Sequence, residues 1–144
     1  MVTVTHRVGK LVAVRVQSPV TYREATMLKP RMEQVIGRLN GPVCVACDLS
    51  DARVYSPDVA EKIVAALKER YPTAQRIGIV VHSGSSLGGL IYSYFRELDD
   101  PERQAWVRAR EMVSYVSERL GGAEQQGLRD FLEEATSSAA MSAK

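Results

Sequence analysis

The segment from Pro42 to Arg70 constrains the fold more than any other part of the chain. Val43 to Leu49 is a nearly continuous apolar run, which is typical of a central strand covered on both faces. A short acidic turn follows, and Ser56-Pro57 then opens a helix with its apolar residues on one stripe. A buried strand followed by a helix that can pack on it predicts β-α-β units with parallel strands.

Other strands are predicted from shorter patterns. Alternating residues at 2–8 and 11–17 predict a β-hairpin that turns at Gly9-Lys10. A second buried strand is expected at 77–81, and a short edge strand at 104–108.

Helices are predicted between these strands and after the last one. Thr21 and Glu24 have capping-box spacing, so a helix should begin there and reach about Leu39, with a kink or a break at Pro30. The other helices are expected at 57–70, 87–98, 109–120 and 123–135. The helix at 87–98 has the clearest amphipathic pattern, formed by Leu87, Leu90, Ile91, Tyr94, Phe95 and Leu98.

This order of elements predicts an α/β fold class. We expect a single mixed β-sheet with a leading β-hairpin and parallel βαβ units, with helices packed on at least one face. Residues 1–135 should form one domain. The tail at 136–144 is small and polar, so we expect it to be disordered.

Charge and hydrophobicity exclude two classes of partner. Nineteen basic and 17 acidic residues leave a formal net charge of +2, too little to indicate nucleic acid or an anionic membrane. No apolar run approaches the roughly 18 residues of a spanning helix, and the first residues do not resemble a signal peptide. We therefore expect no nucleic-acid partner, no membrane span and a cytoplasmic location.

A G-x-S-x-G pattern from Gly84 to Gly88 invites comparison with the nucleophile elbow of hydrolases. Ser86 would be the nucleophile, but both histidines, His6 and His82, precede it. We therefore expect no catalytic residue, and we interpret Ser85 or Ser86 as a helix cap beside glycines that allow a tight turn.

The same loop is a candidate ligand site, because the carboxyl edge of a parallel sheet and a helix start both favour anions. The alternative function is therefore a small-ligand domain that binds a lipid or a nucleotide. Its residues would be His82, Ser83, Gly84, Ser85 and Ser86.

The pair Cys44 and Cys47 does not predict a redox or zinc site. Both lie within one predicted strand, where residues three apart point to opposite faces, so we expect buried thiols. Asp48 and Asp51 flank the end of this strand and should cap backbone groups. We expect no metal and no cofactor.

The turn after the central strand carries a family resemblance. Asp48-Leu49-Ser50, the apolar pair Val54-Tyr55 and the helix start Ser56-Pro57-Asp58 resemble the switch region of anti-sigma-factor-antagonist (STAS) domains. The resemblance implies a sporulation-regulator-like α/β fold and a serine phosphorylated by a partner kinase. In this chain that serine position carries Pro57 or Asp58, so Ser56 is the phosphorylation candidate.

These observations predict a non-enzymatic regulatory module that docks another protein, either a regulatory partner or a kinase, through residues 50–61. The contact residues would be Asp48, Ser50, Asp51, Ser56, Asp58 and Glu61. Besides the ligand domain, two alternatives remain. One is a small enzyme using Ser86, His82 or Cys47, and the other is a homodimer in which helix 123–135 buries Leu128, Phe131 and Leu132 against a second copy.

Overall fold

The computed structural model describes residues 1–54 and 56–142, with the side chains of 135–142 left out. In this part of the chain five strands and five helices form an α/β fold, as predicted. Their bounds are β1 (Val2–Val8), β2 (Leu11–Gln17), α1 (Tyr22–Gly37), β3 (Val43–Asp51), α2 (Pro57–Lys68), β4 (Ala74–Val81), α3 (Ser86–Leu98), β5 (Arg103–Trp106), α4 (Ala109–Ser117) and α5 (Gly122–Ser142).

The strands form one mixed sheet whose order follows the chain, β1-β2-β3-β4-β5. The leading hairpin pairs β1 with β2 antiparallel, and every later neighbour is parallel. Right-handed crossovers between neighbouring parallel strands place α1, α2 and α3 on the same face of the sheet. These three helices share one apolar core with that face.

Helices cover the second face as well, which goes beyond the expectation of at least one covered face. A separate core there joins α4 and α5 to the sheet through Met112, Val116, Leu128 and Phe131. Cys47 belongs to the first core and Cys44 to the second, so the two thiols do point to opposite faces.

Helix α1 continues through Pro30 without a break, contrary to one of the two predicted outcomes. The predicted capping box is present at its start, since the Glu24 backbone N–H donates to Thr21 Oγ1 at 3.1 Å. Buried residues on both sides of the proline share one stripe and pack on the same core, so packing favours a continuous helix through Pro30.

The last helix is longer than predicted and packs on its own chain. Leu128 and Phe131 are buried in the second core, at 0% and 1% exposure. The homodimer alternative placed these side chains and Leu132 against a second copy, whereas Leu128 and Phe131 are buried within this chain and Leu132 is half-buried beside them. Helix α5 reaches Ser142; residues 143 and 144, the end of the tail expected to be disordered, lie outside the described residues.

Candidate functional site

Two loops meet at the carboxyl edge of the sheet, where the sequence placed both candidate sites. Leu49 and Val81 are neighbours in the β3–β4 ladder, so the chain leaves these strands side by side. Arg53 Nη2 of the first loop lies 3.4 Å from His82 Nε2 of the second. Between the loops is a cavity of about 230 Å³ lined by Arg53, Val54, His82, Gly84, Ser85 and Ser86.

The start of α3 explains the G-x-S-x-G pattern structurally. Ser85 is the N-cap, and its Oγ accepts from the Gly88 backbone N–H at 2.9 Å. A Cβ at Gly88 would overlap the carbonyl oxygen of His82, so this position requires glycine for close approach. Among the described residues no hydrogen bond joins Ser86 to a histidine, so the arrangement holds a helix cap and not a nucleophile with its base.

The His82 ring presents a donor at the cavity wall. The Gly84 backbone N–H donates to Nδ1 at 3.0 Å, so the neutral ring carries its proton on Nε2. A guanidinium has no acceptor, and the 3.4 Å approach to Arg53 therefore brings two donors together. The Ser85 hydroxyl donates to the His82 carbonyl at 3.2 Å, so the side-chain donors at the cavity wall are those of Arg53, His82 and Ser86.

The predicted docking residues lie mostly on the surface. Ser50, Asp51, Ser56, Asp58 and Glu61 are all exposed at or near the start of α2. Ser56 is the N-cap and Pro57 follows at the first helical position, as expected. The Ser56 side chain makes no capping hydrogen bond, however, so its hydroxyl is not engaged in holding the helix.

Asp48 is the exception, because it is only 4% exposed. One of its carboxylate oxygens accepts from both the backbone N–H and the hydroxyl of Ser50, at 3.0 and 2.6 Å. The other lies 3.5 Å from Nε of Arg15, which packs over Phe131 on the second face of the sheet. Burial leaves Asp48 little surface for a partner, and its contacts make it a positioning residue for Ser50.

The sequence analysis missed a groove between α2 and α3. It encloses about 430 Å³ and is lined by Pro57, Ala60, Glu61, Val64, Lys68, Leu90, Ser93, Tyr94 and Glu97. Leu90 is 59% exposed on its wall. The amphipathic pattern of α3 could have indicated this groove. Leu87, Ile91 and Phe95 form the buried stripe of the helix, and Leu90 and Tyr94 form a second apolar stripe beside it.

Neither thiol offers reactive chemistry. Cys44 and Cys47 are buried and unpaired. Burial raises the pKa of the Cys44 thiol, and burial together with the nearby Asp48 carboxylate raises the pKa of Cys47. Both therefore stay protonated near neutral pH, and a protonated thiol is a poor nucleophile and a poor metal ligand.

Two searches of the described residues were negative. They contain no group of three or more His, Cys, Asp or Glu side chains that could hold a metal ion. Within the same residues no helix combines the length and the apolar character needed to cross a bilayer.

Comparison with protein-family models, with curated proteins and with solved structures finds no match. The class that the coordinates define is therefore an architectural one: a mixed five-stranded α/β domain with helices on both faces and exposed polar features at its carboxyl edge.

Proposed function

We propose that this protein is a non-enzymatic, cytoplasmic regulatory module that binds another protein through the turn and helix start at 50–61. The observation that carries the proposal is a set of exposed carboxylates, unpaired within the described residues, at the end of β3 and in the first turns of α2. Asp51, Asp58 and Glu61 are exposed, and none forms an ion pair with another described residue. Charges arranged in this way steer and orient a partner more than they stabilise the fold.

Fixed contacts at the first residues of this surface support the proposal. Asp48, which is less than a tenth exposed and pairs with Arg15 on the second face of the sheet, accepts hydrogen bonds from Ser50. Ser18 Oγ also donates to the Arg53 carbonyl at 2.8 Å and accepts from the Arg53 backbone N–H at 2.7 Å. Ser50 and Arg53 are thus held in place, and a surface with such preformed parts binds with less loss of conformational entropy.

Control by a kinase is part of the proposal, following the resemblance to STAS domains. Ser56 is exposed, stands at the N-terminus of α2 and has a hydroxyl free of a capping bond. A phosphate there would interact favourably with the helix dipole and unfavourably with Asp58 two residues on. Phosphorylation would thus change the charge of the docking surface while leaving α2 folded.

The test is affinity capture followed by quantitative binding. Wild type, Asp58→Arg and the matched control Glu33→Arg, an exposed charge reversal on α1, are used as baits, and captured proteins are purified and titrated. We expect the affinity of a true partner to fall at least about tenfold for Asp58→Arg and to be unchanged for Glu33→Arg. Equal affinity for all three chains would refute the docking surface at 50–61.

A ligand-binding function at the 82–89 loop is the second candidate, favoured by the donor-lined cavity. Arg53, His82 and the Ser86 hydroxyl suit an anionic headgroup, such as a nucleotide phosphate, better than an apolar tail. Thermal shift with inorganic phosphate and with AMP tests it. A stabilisation that disappears in Arg53→Gln supports this candidate, and no shift with either compound counts against it.

A further inference from the structure

We propose that the α2–α3 groove receives an amphipathic helix that carries an apolar stripe flanked by basic side chains. The inference deepens the proposed function, on which it rests, by naming the chemistry of the partner segment. The groove shares Pro57, Ala60 and Glu61 with the 50–61 surface, but its test changes Leu90 on α3, outside that surface, so the two can fail separately.

The shape of the groove fits a helix. Helices α2 and α3 each lead from one parallel strand to the next on the same face, so they run side by side in the same direction. Helix α1 packs closely along α2, whereas α2 and α3 stand further apart. The α2 wall extends from Pro57 to Lys68, about 16 Å at the helical rise and therefore about three turns of a partner helix.

The residues that line the two walls are spaced as on one face of a helix, which suits the binding of a third helix. Positions 57, 60, 61, 64 and 68 on α2, and 90, 93, 94 and 97 on α3, follow the three- and four-residue periods of one helix face. Such a pair of ridges accepts apolar anchors at i, i+3, i+4 and i+7 of a third helix.

The apolar part of the groove is preformed. Tyr94 packs edge-on against the buried Phe95, with ring centroids 5.0 Å apart, and Lys68 Nζ lies 4.3 Å from the centre of its ring. Leu90 projects from the same wall with more than half of its surface exposed. An ordered aromatic beside an exposed leucine provides an anchor site at low entropic cost.

The charges on the rim select a basic partner. Glu61 and Glu97 line opposite walls, and among the described residues neither forms an ion pair. Asp58, in the first turn of α2, adds a third carboxylate on the helix that carries Glu61. The one cation on the lining, Lys68, is held over the Tyr94 ring. A symmetric contact that pairs this groove with that of a second copy, or an anionic bilayer, would bring negative charge against this rim, which disfavours both.

The test uses a display library of helical peptides about 16 residues long, selected on the wild-type protein. Enriched peptides are synthesised and titrated by fluorescence anisotropy against wild type, Leu90→Glu and Met27→Glu. Met27 is the matched control, because it is an exposed apolar residue on α1 outside the groove. Circular dichroism verifies that each variant is folded.

We expect enriched peptides with apolar residues at helical spacing and a net positive charge. Their affinity should fall at least about tenfold for Leu90→Glu and should be unchanged for Met27→Glu. In Glu61→Gln/Glu97→Gln the affinity should fall several-fold and depend less steeply on salt.

Three results would overturn the inference: no enriched helical peptide, enrichment of acidic peptides, or equal binding to wild type and Leu90→Glu. A wild-type dimer that dissociates in Leu90→Glu, seen by analytical ultracentrifugation, would replace the proposed occupant with a second copy. A cellular partner that is lost with Asp58→Arg but retained with Leu90→Glu would end this inference and leave the docking function standing.

Discussion

The two faces of the sheet are covered in different ways. On the first face, α1, α2 and α3 form a large apolar core and leave a groove open between two of them. On the second face the core under α4 and α5 is smaller, and arginines complete it. Arg15 and Arg7 lie over the Phe131 ring, at 4.0 and 5.0 Å from its centre.

The opposite end of the second face repeats this arrangement. Arg76 lies over the Tyr115 ring at 4.3 Å and pairs with Glu102 and Glu118 at 2.9 and 2.6 Å. Its side chain is only 8% exposed, so the guanidinium fills space as well as carrying charge. Residues that stabilise the fold thus cover the second face, while the first face and the carboxyl edge keep exposed apolar and charged side chains.

Phe131→Ala should have the largest effect on one face alone, because it removes the ring at the centre of the second core. A buried phenylalanine typically contributes about 3–5 kcal/mol, and here the ring also supports Arg15 and Arg7. We expect a loss of that size in the free energy of unfolding, measured with guanidinium chloride. In hydrogen exchange, amides of α4 and α5 should lose protection before those of α1–α3. Equal loss throughout would mean that the faces do not open separately.

Gly78→Ala tests how tightly α4 approaches the sheet. A Cβ at this position would overlap Cγ2 of Val116 and lie 3.2 Å from Cγ of Met112. We expect a cost of about 1–3 kcal/mol from overpacking, measured by urea denaturation. The double variant Gly78→Ala/Val116→Ala should be less destabilised than the sum of the two single variants, because the shortened side chain vacates the space. Strict additivity would contradict the proposed overlap.

The N-cap residues of α1 and α2, two helices of the first face, differ because only one of them makes a capping hydrogen bond. Thr21 forms a complete capping box, so Thr21→Ala should lower the free energy of unfolding by about 1 kcal/mol. Ser56 makes no capping bond, so Ser56→Ala should cost only a few tenths. Thermal denaturation of both variants measures the difference, and equal losses would show that Ser56 serves α2 as a cap after all.

The ion pairs of the second face predict a small dependence on pH. Hydrogen bonds from Arg76 lower the pKa of Glu102, with a further contribution from Arg119. A carboxyl with a lowered pKa in the folded state stabilises it above the unfolded value, about 4.3, and loses this contribution as the pH falls. Glu102 is about a third exposed, so the effect should stay below about 1 kcal/mol.

Glu102→Gln is the variant that isolates this contribution. We expect it to be less stable than wild type at pH 7 and to approach wild type as the pH falls from about 5 to about 3. Unfolding curves taken across this range measure the gap between the two proteins. A constant gap would assign the loss to geometry and not to the charge of Glu102.

Much of the fold could be predicted because its signals are local. Continuous apolar residues from Val43 to Leu49 predicted a central strand, and Thr21 with Glu24 predicted the capping box, both of which are present. Part of the candidate site followed from the same logic. Because β3 and β4 are parallel neighbours, their carboxyl ends, and therefore the loops that carry Arg53 and His82, had to meet.

The remainder depended on distances between residues far apart in sequence. Composition could not show that Arg15 pairs with Asp48 beneath the turn, that Pro30 is tolerated because both halves of α1 share one core, or that Leu90 lies beside a groove. Periodicity assigns a face to each helix, but the space between two helices is fixed by the side chains packed under both of them. The sequence by itself therefore determined which elements form and which edge carries their loops. Only the tertiary structure decided which charges are buried, which helices cover the second face and which apolar surface remains open.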